Sequence, residues 1–172
     1  GALLGLASLD LLEQEAQRRN ALAALYHRIL GRAPGIYLQR IAAGDRSSYK
    51  DFSIRIRAAE FGLRRDEVAR ALDAEGVATR AYYVPPVHRT RAFMGVGRRY
   101  ADRLPETDAL CSEVLTLPLY GAMSEAQVER VADCILSLPE RADEIRRAMD
   151  SRTPGEPGVG TTAVSGTTSG PE

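Results

Sequence analysis

The chain has 172 residues, 23 basic and 23 acidic, so its net charge is zero. That balance excludes a broad polyanion surface, and with it a nucleic-acid partner, because phosphate binding needs a basic excess that releases counterions. Its content of 44% hydrophobic and 27% charged residues is ordinary for a globular domain, and no apolar run is long enough for a membrane-spanning helix.

Residues 3–30 read as one long helix, or as two that run close together. Leu22, Leu25, Tyr26, Ile29 and Leu30 follow the spacing of a single buried stripe. Asp10, Glu13 and Glu15 precede Arg18 and Arg19, the order that suits the helix dipole. The Leu-rich start, residues 3–12, is apolar on more than one face and calls for a partner surface. Gly31 and Pro34 end the helix. Phe52, Ile54 and Ile56 alternate with Asp51, Ser53 and Arg55, which predicts a strand with one buried face, opened by Tyr49 and Lys50. Residues 63–75 read as a helix with Leu63, Val68, Ala71 and Leu72 on one side, and Gly76 is placed for a left-handed cap.

Residues 77–84, rich in Val, Thr and Tyr, read as a second strand stopped by Pro85 and Pro86. Residues 89–103 read as loop with some helix. Pro105 suits the first position of a helix to about residue 113, and 114–117 is a short apolar strand closed by Pro118. Ser124 and Gln127 form a capping box, with Met123 and Val128 as its hydrophobic staple, ahead of a core face of Val128, Val131, Ala132 and Ile135. A last polar helix covers 139–149. From residue 151 the chain offers almost nothing to bury, which predicts a disordered polar tail.

The expected fold is α+β, a small mainly antiparallel sheet covered by helices and preceded by a long helix. The expected division is 1–30 as a connecting helix, 31–150 as a small domain and 151–172 as a tail. Cys111 and Cys134 form no C-x-x-C pair, so they read as small core residues of a reduced, cytoplasmic protein. The start has no basic region before an apolar stretch, hence no signal peptide, and no initiator Met, so the chain reads as a fragment of something longer.

The chemistry concentrates in residues 76–93, GVATRAYYVPPVHRTRAF, which gather Arg80, Tyr82, Tyr83 and His88 around a strand end and a rigid Pro-Pro turn. Alternation would put Arg80 and Tyr82 on one side and Tyr83 on the other. The plainer alternative is sheet packing for the tyrosines and a loop position for His88. Lys50 is the only lysine, hence the only residue able to form a Schiff base, yet no phosphate cradle opens a helix nearby, and it reads as solvated. Arg98, Arg99 and Arg103 could meet a phosphate but read as a solvated loop, and His27 as the edge of the helix stripe. No clustered ligands suggest a metal.

Taken together, LGLASLDLLEQEAQRRNALAALY, SSYKDFSIRI, RRDEVARALDAEGVATRAYYVPPVHRTRAF and LPETDALCSEVLTLPLYGAMSEAQVERVADCI resemble, in this order, the DegT/DnrJ/EryC1/StrS aminotransferases. The resemblance implies the C-terminal small domain of a fold-type-I enzyme using pyridoxal 5'-phosphate. It implies transfer of an amino group from an amino acid, commonly glutamate, to a nucleotide-linked keto-sugar, in a homodimer. It also implies that the cofactor lysine belongs to a large domain preceding this region, so no catalytic residue is expected here. By position, TRAYYVPPVH resembles the stretch bordering the sugar-nucleotide site, which makes His88 and Tyr83, then Arg80 and Tyr49, the expected substrate-binding residues. Two alternatives stand beside this: a non-catalytic binding module reusing the small domain, and, last, an independent enzyme built on Lys50.

Overall fold

A computed structural model describes residues 2–97, 99–100 and 103–151. Ala2–Leu30 form one helix, α1, as its sequence stripe predicts. Leu22, Ala23, Leu25, Tyr26 and Leu30 are buried, whereas Leu9, Leu11 and Leu12 remain exposed. The second half of α1 therefore belongs to the core, while Leu6, Leu9, Leu11 and Leu12 have no cover within the described residues. Tyr26 stacks on Phe52 with ring centroids 4.8 Å apart, and its hydroxyl donates to the Pro118 carbonyl at 3.0 Å. Burial drives the Tyr26 phenol well above its ordinary pKa, so it stays a neutral donor. After α1 the chain turns through Gly35, whose φ of 74° suits glycine and where a Cβ would sit 2.4 Å from the Phe61 amide nitrogen.

Three strands form the sheet: β1 (Ile36–Leu38), β2 (Phe52–Ile56) and β3 (Val114–Leu117), in the order β1-β2-β3, with both pairs antiparallel. Ile54 lies opposite Leu38 on one side and Leu115 on the other. The period-two pattern holds on β2: Phe52, Ile54 and Ile56 are sealed in the core. On the other face Ser53 and Thr116 share a hydroxyl hydrogen bond of 2.8 Å, and Arg55 pairs with Glu113. Strand β1 escapes a sequence reading because three residues carry no measurable period. Tyr49 and Lys50 consequently lie in the loop between β1 and β2 rather than opening the first strand.

Helix α2 (Ala58–Phe61) ends at Gly62, with φ 89°, and α3 (Arg65–Ala74) follows. The helix expected over 63–75 thus starts later. Leu63 is fully buried ahead of it, and the Arg64 amide donates to the Glu67 carboxylate at 2.6 Å. Gly76 takes the left-handed φ of 77° expected of it.

The strand expected over 77–84 does not form. One pair of residues is laddered, Arg80 with Thr116, through Arg80 N–H to Thr116 O at 3.1 Å and Thr116 N–H to Arg80 O at 2.7 Å. Val, Thr and Tyr favour strands only as far as packing against cross-strand neighbours rewards them. Here the segment meets only the edge of β3, and two prolines without N–H groups follow at once. The alternation that placed Arg80 and Tyr82 opposite Tyr83 lapses with the strand.

Residues 87–97 form two 3₁₀ turns, Val87–Arg89 and Arg91–Phe93, and the one-turn helix α4 (Met94–Gly97). Helix α5 (Pro105–Glu113) starts on Pro105 as expected. Helix α6 (Glu125–Ser137) carries the predicted capping box: the Gln127 amide donates to Ser124 Oγ at 3.2 Å, and the Ser124 amide to Gln127 Oε1 at 2.8 Å. Met123 and Val128 are both buried beside it. A 3₁₀ turn (Pro139–Arg141) leads into α7 (Ala142–Asp150). Helices α1 and α6 pack together, and α3 touches both α6 and β3. The result is the α+β arrangement expected, a three-stranded antiparallel sheet with its apolar face under helices. Cys111 and Cys134 are half-buried rather than core, Cys134 packing at the core's margin. Among the described residues no helix is long and apolar enough to cross a membrane. The tail from 152 and Arg98 lie outside the described residues.

Candidate functional site

The Arg80–Thr116 pair anchors one end of the segment that sequence analysis singled out. Beyond it the chain leaves the sheet, and Tyr82 and Tyr83 stand out from the surface, 38% and 72% exposed, their rings 5.1 Å apart. Pro86 is buried and fixes the turn that follows. The Arg89 amide donates to the Pro86 carbonyl at 2.8 Å, and the Thr90 amide and hydroxyl both donate to Val87 O, at 3.1 and 2.8 Å.

This turn aims His88 inward. Its side chain is only 8% exposed, and Nε2 lies 3.1 Å from Asp108 Oδ1 on α5. That nitrogen is sealed from solvent and sits off the line of an ideal hydrogen bond. Arg89 grips the same carboxylate in a fork, Nε to Oδ1 at 2.7 Å and Nη2 to Oδ2 at 2.8 Å. The Arg89 hydrogen bond, ahead of the His88 contact, holds the Asp108 carboxyl below its ordinary pKa, so it stays an acceptor. Around this clamp Val84, Val87, Phe93, Met94 and Val96 are all exposed, an apolar rim beside a polar centre. Arg99 and Arg103 are exposed, in keeping with a solvated loop.

The structure brings Arg80, Tyr83 and His88 onto one short segment beside the β3 edge. Tyr49 is placed differently. It is 6% exposed, its ring centroid lies 6.0 Å from that of Phe52, and burial pushes its phenol pKa up. Tyr49 serves the core. Asp108 escaped the sequence reading altogether. It sits 19 residues from Arg89, and no periodicity links a 3₁₀ turn to the first turn of a later helix.

A family model described as the DegT/DnrJ/EryC1/StrS aminotransferase family matches residues 1–136. The chain belongs to that family. It is 34% identical over 127 residues, 74% of this chain and 32% of the relative, to dTDP-3-amino-3,4,6-trideoxy-alpha-D-glucose transaminase from Streptomyces venezuelae. It is 27% identical over 135 residues, 78% of this chain and 36% of the relative, to dTDP-4-amino-4,6-dideoxy-D-glucose transaminase from Escherichia coli. Among solved structures, DesI in the presence of its TDP-sugar product aligns with TM-score 0.75 and 31% identity, covering 85% of this chain and 37% of that one. Streptomyces venezuelae DesV in complex with a ketimine intermediate aligns with TM-score 0.70 and 33% identity, covering 77% of this chain and 34% of that one. The chain of this DegT/DnrJ/EryC1/StrS member thus spans about a third of the length of the curated relatives it matches.

That share matters for the cofactor. Lys50, the only lysine, is an exposed loop residue. A Schiff-base lysine needs a pocket that depresses its pKa and groups that hold a phosphate. Among the described residues, Lys50 in its exposed loop does not fit the anchoring of pyridoxal 5'-phosphate.

Proposed function

We propose that this chain is the substrate-positioning part of an aminotransferase that moves an amino group from an amino-acid donor, glutamate by preference, onto a nucleotide-linked keto-sugar. Membership of the family over residues 1–136 carries the reading, and the sugars named for the relatives support the sugar class. Pyridoxal 5'-phosphate and its lysine belong to a large domain elsewhere in the complete protein, which acts in the cytoplasm as a homodimer. Residues 31–150 serve as the small domain, with α1 as the connection to the rest.

Within this part, the work is binding and orientation. Tyr83 offers a hydroxyl and an aromatic face at the surface, Arg80 offers a guanidinium at the sheet edge, and His88 offers what its clamp leaves open. Holding a sugar against a reacting centre removes translational and rotational freedom before the chemical step. Such a role predicts effects on sugar binding rather than on the amino donor. In the complete enzyme, His88→Ala is expected to raise KM for the sugar nucleotide about tenfold and leave KM for the amino donor unchanged. Equal effects on both substrates, or none, would remove His88 from the sugar site. A second measurement addresses the cofactor. Borohydride treatment of this chain with pyridoxal 5'-phosphate is expected to leave no stoichiometric adduct at Lys50. Such an adduct would show that this chain alone prepares a Schiff-base lysine.

A further inference from the structure

The geometry points to Asp108 as the positioning residue that sets the tautomer and direction of the His88 ring, with Arg89 fixing Asp108 in turn. As a statement about substrate binding, this rests on the reading of His88 as a sugar-site residue; as a statement about the ring, it stands alone.

Three observations carry it. First, His88 Nε2 is sealed from solvent and its near neighbour is Asp108 Oδ1 at 3.1 Å, off the line of an ideal hydrogen bond. At that distance a carboxylate repels a bare nitrogen lone pair and attracts an N–H, so its charge biases the ring even without a straight hydrogen bond. Second, Asp108 cannot act as a donor. Arg89 occupies both its oxygens at 2.7 and 2.8 Å, which favours the ionised, acceptor-only form. A carboxylate facing Nε2 places the proton on Nε2, and the remaining hydrogen-bonding capacity of the neutral ring is then the Nδ1 lone pair. Third, the clamp ties two elements that share no ladder. Val87–Arg89 is a 3₁₀ turn, a short piece with little stability of its own, and Asp108 stands in the first turn of the nine-residue α5. Helix α5 is itself pinned to β2 through Arg55 and Glu113. The orientation of His88 is thereby referred back to the sheet by way of Asp108.

The consequence for recognition is specific. A ligand meeting His88 would find an acceptor at Nδ1 and would have to supply the donor, as a sugar hydroxyl does. Loss of Asp108 would leave the ring free to exchange tautomers, so the acceptor would be present only part of the time.

The test uses the complete protein with histidine labelled at the ring nitrogens. Its His88 signals are identified by their loss in His88→Ala. In the unaltered protein the ring is expected as the Nε2–H tautomer. A ring found as the Nδ1–H tautomer, or as an even mixture, would overturn the inference before any Asp108 variant is made. Asp108→Asn is expected to mix the tautomers and raise KM for the sugar nucleotide about five- to tenfold, with KM for the donor unchanged. Asp108→Glu, which keeps the carboxylate, is expected to recover most of both effects. Combining Asp108→Asn with His88→Ala is expected to add nothing to His88→Ala alone. If Asp108→Asn leaves tautomer and KM as they were, Asp108 does not position His88. If His88→Ala itself leaves sugar binding intact while Asp108→Asn still mixes the tautomers, the positioning stands and the reading of His88 as a sugar-site residue falls.

Discussion

Around Phe52 the chain is held by buried apolar area; around His88 it is held by charged and polar clamps between half-exposed residues. Phe52 has Tyr26 stacked on it, Tyr49 and the edge of His27 against it, and is itself fully buried. His88 has one carboxylate, and around it Tyr83, Val84, Val87, Phe93 and Met94 face outward. Apolar burial is non-directional and tolerates small errors, whereas a fork between Arg89 and Asp108 depends on angle and distance. The first region provides stability. The second holds a surface in shape without filling it, as a place for another molecule requires.

Four substitutions test this division, beginning with the one that should cost most. Phe52→Ala removes the centre of the packed region and is expected to destabilise by about 4 kcal/mol, read as a shift of the urea midpoint. A loss below about 1 kcal/mol would mean that the core is not organised around this ring. Ser124→Ala removes the N-cap of α6, the helix packed on α1, and is expected to cost about 1 kcal/mol in the same measurement. Glu13→Gln should act through pH alone. Arg46, with help from Gln17, holds the Glu13 carboxyl at about 2 rather than its ordinary 4.5. A folded-state pKa below the unfolded one stabilises at pH above about 4.5, and this contribution disappears as pH falls toward about 2. The variant should therefore show a shallower acid loss of stability, and because the pair is exposed, added salt should erase the difference. Tyr83→Ser closes the series, with an expected change within about 0.5 kcal/mol because its ring is largely in solvent. A large loss there would show that the outer segment shares the core's cooperativity.

The same division decides what could be read in the sequence. Burial writes periodicity, so α1, β2 and α6 were legible from Leu22, Tyr26 and Leu30, from Phe52, Ile54 and Ile56, and from Val128, Val131 and Ile135. Local backbone chemistry was legible too, in Gly76, Pro105 and the Ser124–Gln127 box. Residues 77–84 misled because β-forming side chains say nothing about whether a partner strand exists. Tyr49 shows a related limit: a tyrosine near a strand start looks the same on paper whether its ring turns to the core or to a ligand. Asp108 could not be found at all, since a clamp across 19 residues leaves no pattern. Arg80, Tyr83 and His88 were singled out by their residue types, their shared segment and the family resemblance, and the structure adds the Arg80–Thr116 bridge and the His88–Asp108 contact.

The two halves of α1 differ in a further respect. At about 1.5 Å per residue its 29 residues reach about 44 Å, yet its buried positions begin only at Ala16 and run to Leu30. Backbone amides near Leu25 and Leu30 can exchange with solvent deuterium only when the core opens. Those near Leu9 and Leu11 are free to exchange whenever the first turns fray. One uninterrupted helix should therefore show a steep gradient of deuterium uptake from its start to its end. Any surface that comes to cover Leu9, Leu11 and Leu12 would reveal itself by flattening that gradient.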